Sequence, residues 1–177
     1  MASTLRFDKW ENTLGQPYGT VLQVVQSVKS DTMAVAMSAQ TGTPTIANTV
    51  FLMSATILPK INNSKILVTS SIKYSSAGST ASLVLFRDST PIGIGDLAGN
   101  RRRSTTGTGL QIDANQISGI GDISFLDSPN TSSNVTYSVR FWSDSTNTTY
   151  VNRSATDTDG STGVRTISTI TLMEIAQ

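Results

Sequence analysis

The stretch Val135-Thr-Tyr-Ser-Val-Arg-Phe-Trp142 decides the fold class of this chain. Its apolar residues recur at every second position, and they are Val135, Tyr137, Val139 and Phe141. Because successive side chains of an extended chain point to opposite faces, these four share one face and the polar residues between them share the other. The pattern predicts a half-buried strand. The preceding cluster Asp127-Ser-Pro-Asn130 is typical of a turn, so we expect a hairpin with the segment Ile123–Leu126.

The composition limits what the chain can do. Its 177 residues fit one domain, which would bury roughly two-thirds of its unfolded surface. Charged residues make up 14% and the net charge is +1, so no overall field draws the protein to nucleic acid or an anionic membrane. Cysteine and histidine are both absent, which excludes disulfides, Ser-His-Asp and Cys-His catalysis and the usual zinc sites. We predict no enzyme activity, no cofactor and no metal.

Serine and threonine account for 51 residues, and they are interleaved with valine, isoleucine and leucine. Threonine suits a half-wet pleated surface because it is β-branched and carries a hydroxyl. Turn clusters separate eight or nine extended segments, and no interior helix pattern is present. The sequence therefore predicts an all-β, antiparallel β-sandwich or jelly roll over residues 20–177.

Three extended segments have patterns that bear on function. In Val50–Leu58, alternation places Phe51, Met53, Ala55 and Ile57 on one face. Ala81–Arg87 is apolar on both faces, so both should be covered. Ile92–Asp96 carries glycine at alternate positions, which leaves one face bare and permits the close approach of another backbone, with a neighbouring subunit as one candidate.

Residues 1–19 form a distinct arm. Phe7, Trp10 and Leu14 fall at helical spacing, and together with Leu5 they make the arm strongly apolar. So short a helix is unstable alone and must pack on something. Two alternatives stay open: the arm packs on its own domain, or Leu5, Phe7, Trp10 and Leu14 bind a partner.

The run Arg101-Arg102-Arg103 is the one charge cluster of the sequence. Nucleic-acid sites interleave basic and aromatic residues, and no aromatic residue lies near this run, so we favour a salt bridge or a solvated loop and expect no nucleic acid. Ile92 and Ile94 lie beside bare glycines, and together with the two-sided apolar pattern at Leu83–Phe86 they exceed what a small sandwich should leave exposed. We therefore predict a homotrimer, with Ile92, Ile94 and the run Arg101-Arg102-Arg103 at its interface.

The acidic residues give weak signals. Asp157-Thr-Asp-Gly160 lacks the spacing and the closing glutamate of an EF-hand loop, so we interpret it as a turn. Asp122 and Asp127 would serve a glycosidase only at a defined separation, which sequence does not give.

Targeting signals are also missing. No apolar run approaches the roughly 20 residues of a membrane span, and the first residues lack the plan of a signal peptide. We expect the protein to stay in the compartment where it is made, without a membrane partner. The Asn-x-Ser/Thr sequons then arise by chance, and they begin at Asn62, Asn130, Asn134, Asn147 and Asn152.

Four stretches carry a family resemblance: Leu-Phe-Arg-Asp-Ser-Thr-Pro-Ile-Gly-Ile-Gly-Asp (85–96), Phe-Leu-Asp-Ser-Pro (125–129), Tyr-Val-Asn-Arg-Ser (150–154) and Ser-Thr-Ile-Thr-Leu-Met-Glu-Ile-Ala (168–176). From about residue 20 onward the chain resembles small virion proteins of tailed bacteriophages, notably those of cyanobacteria and marine bacteria. The resemblance implies a jelly-roll module, commonly trimeric, on the outside of a particle. It carries over no catalytic residue.

The expected function is a capsid decoration, or cement, protein that binds the major capsid protein at the outer surface of the phage head. It would be made in the host cytoplasm. The first alternative is a tail-fibre or receptor-binding tip whose loops, 97–109 or 143–149, contact host glycans. The second is a glycan-cleaving enzyme, which would need one essential carboxylate.

Overall fold

A computed structural model describes residues 19–76, 81–107, 119–146, 148–161 and 163–177. Except for Gly19, the predicted arm lies outside the described residues. Within them, every helix-or-strand element is a strand, as predicted. The strands are β1 (Val21–Lys29), β2 (Met33–Ala36), β3 (Val50–Ile57), β4 (Lys65–Ser76), β5 (Ala81–Arg87), β6 (Thr90–Ile92), β7 (Thr106–Gly107), β8 (Gly119–Asp127), β9 (Val135–Ser143), β10 (Thr148–Val151) and β11 (Ser168–Ile175).

The strands form two antiparallel sheets packed as a sandwich. The first has the order β1-β11-β4-β10-β2, and β8 pairs with β4 as well. Tyr74 pairs with both Val151 of β10 and Gly119 of β8, so β8 lies along the opposite edge of β4 from β10. The second sheet has the order β3-β9-β5-β6, with β7 also paired to β5. The predicted antiparallel sandwich is confirmed.

The core lies between the two sheets, where the inward-facing side chains of β4 meet those of β9. Ile66, Val68 and Ile72 of β4 are fully buried, as the alternation of apolar and polar residues over Lys65–Tyr74 predicts. From the other sheet, Phe141 of β9 contacts Tyr74 edge to face, with ring centroids 5.5 Å apart. These residues bury their aliphatic and aromatic surface between the two sheets, and this burial is the main favourable contribution to folding.

The prediction that β9 is half-buried is wrong. Ser138 and Trp142 point away from the core but are buried too. Trp142 packs with Val84 and Phe86 of β5 in a second apolar cluster, and Ile94 lies against it. The double coverage predicted for β5 is confirmed, and it is the segment after β6 that supplies the second cover.

The predicted hairpin between Ile123–Leu126 and the central strand is also wrong. β8 pairs with β4 in the first sheet, whereas β9 pairs with β3 and β5 in the second. The link between them crosses from one sheet to the other. Asp127 at the end of β8 ties the crossing, because it binds Tyr137 of β9 and Arg87 of β5.

Two β-bulges overturn face assignments made from simple alternation. The register of β3 shifts between Phe51 and Met53, so Leu52 is buried and Phe51 points outward, with the Arg140 guanidinium 5.8 Å from its ring centroid. Alternation predicts that Val21 and Val24 of β1 lie on opposite faces, but the register of β1 shifts between Val21 and Gln23 and places both on the outer face. A bulge adds one residue and reverses the parity of everything before it.

The short strand predicted at Ile92–Asp96 ends at Ile92. Gly93 takes a positive φ of 59°, and a Cβ there would lie 2.9 Å from Cδ2 of Phe125. The close approach that this glycine permits is therefore to an aromatic ring of the same chain.

Candidate functional site

The two carboxylates considered for glycoside hydrolysis lie on opposite faces of β8. Asp122 points outward and accepts a 2.6 Å hydrogen bond from Ser71 Oγ. Asp127 is buried, accepts from Arg87 Nη1 at 3.0 Å and accepts from the Tyr137 hydroxyl at 2.6 Å. Burial, together with that hydrogen bond, raises the pKa of Tyr137. The two carboxylates do not face one substrate, and Asp127 serves as a structural tie.

The arginine run makes three separate contacts within the chain. Arg102 forms a salt bridge with Asp144 at 3.2 Å, which agrees with the interpretation favoured from sequence. The Nε of Arg103 donates to the carbonyl of Gly95 at 2.7 Å. Arg101 is exposed and its Nη1 donates to the carbonyl of Ala98 at 3.3 Å.

Ile92 and Ile94, predicted at an oligomer interface, are half-buried within the chain itself. Ile92 packs on the main core and Ile94 on the second apolar cluster. The apolar side chains of Ile92 and Ile94, from which the trimer was predicted, are thus largely covered within the chain itself.

The acidic segment Asp157–Gly160 is irregular and is held by arginines, and a hydrogen-bonded turn follows it, in which the Gly163 N–H donates to the carbonyl of Gly160 at 2.9 Å. Arg153 Nη1 lies 3.1 Å from an oxygen of Asp157, and Arg165 pairs with the other oxygen. The bond from Arg165 lowers the pKa of the Asp157 carboxyl. The turn borders an open cavity of about 310 Å³. Both oxygens of Asp157 already face cations, and the described residues contain no group of three or more His, Cys, Asp or Glu side chains that could hold a metal ion.

Sequence reasoning missed two buried polar residues. Glu174 is fully buried on the core face of β11, and its carboxylate accepts from four donors between 2.6 and 3.1 Å away. Asn152 is fully buried with φ 59°, donates to the carbonyls of Lys29 and Asp31 and accepts from Ser168. Glu174 could have been noticed in the sequence, because it is an acidic residue at a position of β11 that alternation places on the core face. Asn152 is a sequon residue that the folded chain keeps from any glycan.

The outer face of the first sheet carries several exposed apolar side chains, namely Val21, Val24, Val28, Ile120 and Leu126. Its residues pair across β1, β11, β4 and β8, so they form rows at right angles to the strands. We call the two rows nearest the start of β1 the apolar half, and they contain Val21, Ile175, Lys65, Val24, Met173, Leu67 and Leu126. Val24 is 55% exposed and Leu126 is 47% exposed, at opposite ends of one row.

The next two rows, the polar half, differ in chemistry. They contain Gln26, Thr171, Thr69, Ser124, Val28, Thr169, Ser71 and Asp122. Their polar groups bond to each other: Gln26 Nε2 donates to Thr171 Oγ1 at 2.9 Å, and Ser71 donates to Asp122. One face thus has a water-compatible half and an apolar half that is typical of a contact surface.

Comparison with known protein families and with curated proteins finds no match. Within the described residues, no helix has the length and apolar character needed to cross a membrane. The fold therefore defines the class of the protein, an all-β sandwich of two antiparallel sheets.

Proposed function

We propose that this chain is a bacteriophage virion structural protein, a capsid decoration protein that binds the major capsid protein on the outside of the head. The observation that carries the proposal is the order in which the strands pair, because it supports the jelly-roll topology that the family resemblance implies. The family resemblance is the reason to propose a virion location, and the strand pairing is a separate reason to propose the jelly-roll fold.

Eight of the strands support the jelly-roll interpretation: β1, β3, β4, β5, β6, β8, β9 and β11. The first pairs with the last, the second with the seventh, the third with the sixth and the fourth with the fifth. This is the pairing of one long hairpin folded at its middle. When that hairpin rolls up, successive strand pairs fall alternately into the two sheets. β11 then lies beside β4 and β9 beside β5, in agreement with the observed strand orders. β2, β7 and β10 are additions to this scheme.

A structural role also agrees with how the described charged groups are used. Asp127 and Glu174 hold the sandwich together, and Asp157 and Asp144 pair with arginines. A catalytic acid or base needs access to a substrate, and the two buried carboxylates are committed to internal donors. The proposal is therefore a binding module that performs no reaction.

Capsid binding is the direct test. Purified protein is mixed with undecorated capsids and with isolated tails, and the bound copies are measured after sedimentation. We expect binding to capsids that changes little with salt, because a net charge of +1 leaves little electrostatic attraction to screen. Binding to tails alone would refute the proposal.

The homotrimer implied by the resemblance is part of the proposal and is tested separately. Light scattering on the purified protein should give three times the mass of one chain. A monomer at micromolar concentration, in the absence of capsids, would contradict it.

A second candidate is the receptor-binding tip, and one contact favours it. The Arg102–Asp144 salt bridge joins the two loops that were predicted to contact host glycans. A single surface made from loops 97–107 and 143–146 would then face the host. Glycan-array binding lost in Arg102→Ala and in Asp144→Ala would support this candidate over the decoration protein.

A further inference from the structure

We propose that Arg140, Phe51 and Ile46 form a docking surface for an acidic segment of a partner protein, and we call these three residues the arginine surface. It lies on the outer face of the second sheet. The proposal concerns the chemistry of the partner and does not rest on the virion assignment, because its test needs no capsids.

Arg140 is held in the middle of this face. On β9 it pairs with Phe51 of β3 on one side and with Val84 of β5 on the other. The ring centroids of Phe51 and Phe86 lie 5.8 and 5.7 Å from its Cζ, within the distance at which an aromatic ring attracts a cation. Strand pairing and the two rings therefore orient the guanidinium before any partner binds.

The charge of Arg140 has no counter-charge in the part of the chain that the structure describes, where each ion pair joins other residues. Its Nε donates to Thr49 Oγ1 at 2.7 Å, and its Nη2 donates to the carbonyls of Ile46 and Thr49 at 3.1 and 3.0 Å. All three acceptors are neutral, and none of these bonds uses Nη1. Burial lowers the pKa of Arg140, since its surroundings solvate the charge less well than water does. A carboxylate at Nη1 would supply the missing counter-charge.

Apolar surface flanks the guanidinium. Phe51 is 44% exposed and Ile46 is 43% exposed. Apolar surroundings strengthen an ion pair because they lower the local dielectric constant. Thr49, which accepts from Arg140, also borders a cavity of about 90 Å³, which is the volume of about three water molecules. An aliphatic side chain next to the carboxylate fits a space of that size.

This arrangement favours a protein carboxylate over a nucleic-acid phosphate. Nucleic acid is bound by several cations that follow its backbone, whereas the outward neighbours of Arg140 on β9, Ser138 and Trp142, are uncharged. Phosphate oxygens also gain nothing from exposed apolar side chains. An arginine beside an aromatic residue is instead the composition that is enriched at the centres of protein interfaces.

The test selects peptides from a random library, displayed on ribosomes, that bind the immobilised full-length chain. Each selected peptide is synthesised twice, once as found and once with its carboxyl side chain replaced by the corresponding amide. Phe51→Asp removes the ring and places a carboxylate beside Arg140. Leu126→Asp is the matched control, because it makes the same kind of change at 47% exposure on the other sheet. Arg140→Lys keeps the charge but loses the planar fork. Circular dichroism checks that each variant keeps its strands.

We expect the selected peptides to carry Asp or Glu next to an aliphatic residue. The amide peptides should bind about tenfold or more weakly, as should the original peptides to Phe51→Asp and Arg140→Lys, while Leu126→Asp should bind like wild type. Peptides without an acidic residue, equal loss in Phe51→Asp and Leu126→Asp, or no peptide that prefers wild type to Phe51→Asp would overturn the proposal. Self-association of the wild type that Phe51→Asp abolishes, with no such peptide selected, would overturn it in favour of a second copy of the chain.

Discussion

Replacing Glu174 with glutamine tests how the sandwich is held together at its most buried charge. Three donors converge on Oε1: the backbone N–H groups of Lys60 and Ile61, at 2.8 and 3.1 Å, and Ser64 Oγ at 2.7 Å. Gln23 Nε2 donates to Oε2 at 2.6 Å. The carboxylate thus joins β11 to β1 and to the turn between β3 and β4, without a cationic partner among these contacts.

The expected cost follows from the change in those bonds. A hydrogen bond to a charged group contributes about 1.5–3 kcal/mol and a neutral one about 0.5–1.5 kcal/mol. An amide oxygen at the Oε1 position keeps three bonds but makes them neutral. The new amino group faces Gln23 Nε2, which also donates to the carbonyl of Leu58 at 2.7 Å, so the Gln23 amide cannot rotate to accept without losing that bond. The neutral side chain is also easier to bury, so we expect Glu174→Gln to lower the free energy of unfolding by about 2–3 kcal/mol.

The pH dependence gives a second reading of the same bonds. Burial alone would raise the pKa of Glu174, but the four donors outweigh it and the folded-state pKa lies below the ordinary value. A depressed folded pKa contributes stability that is present above the unfolded pKa of about 4.3 and is lost as the pH falls through the folded value. The difference between wild type and Glu174→Gln should therefore be constant near neutrality and shrink in acid below about pH 4.3.

Urea unfolding of both proteins across this pH range makes the measurement, with Asp122→Asn as the control. Asp122 is an exposed carboxylate with a side-chain donor on the outer face, so its replacement should cost under about 1 kcal/mol. A Glu174→Gln protein within about 0.5 kcal/mol of wild type at neutral pH would refute the reasoning. Parallel loss of stability by both proteins in acid would refute it too.

Two further substitutions test the packing. Phe141→Ala removes a fully buried ring and should cost roughly 3–5 kcal/mol, against under about 1 kcal/mol for Thr136→Ala on the other face of β9; equal denaturation midpoints would show that the faces are misassigned. Gly121→Ala would place its Cβ 2.1 Å from Leu83 Cδ1, so we expect a loss of about 1–3 kcal/mol, while Gly107→Ala meets open space and should unfold like wild type within about 1 kcal/mol.

Local alternation predicted the strands well where burial is one-sided and regular. Alternation assigned the inward residues of β4 and the apolar face of β9 correctly, because successive side chains of a regular strand point to opposite faces. The same rule failed at Val21 and Phe51, since a bulge changes parity without a signal in composition. It also missed the cover over Trp142, which is supplied by a loop and by no strand pattern.

Strand pairing and the polar ties depend on residues far apart in sequence. The turn residues after Asp127 are compatible both with a hairpin and with a connection that crosses from one sheet to the other. The local sequence therefore cannot distinguish the two. The choice lies in contacts such as Tyr137 to Asp127 and Ser64 to Glu174, the second of which spans 110 residues. For the same reason the apolar half of the outer face appeared only once four strands were placed side by side.

The location and number of copies on intact virions test the central claim most directly. Quantitative mass spectrometry of purified particles, with labelled protein located by electron microscopy, gives both in one preparation. The decoration-protein account predicts a copy number in fixed proportion to the major capsid protein and label over the outer surface of the head. A few copies per particle, with label at the tail, would contradict it.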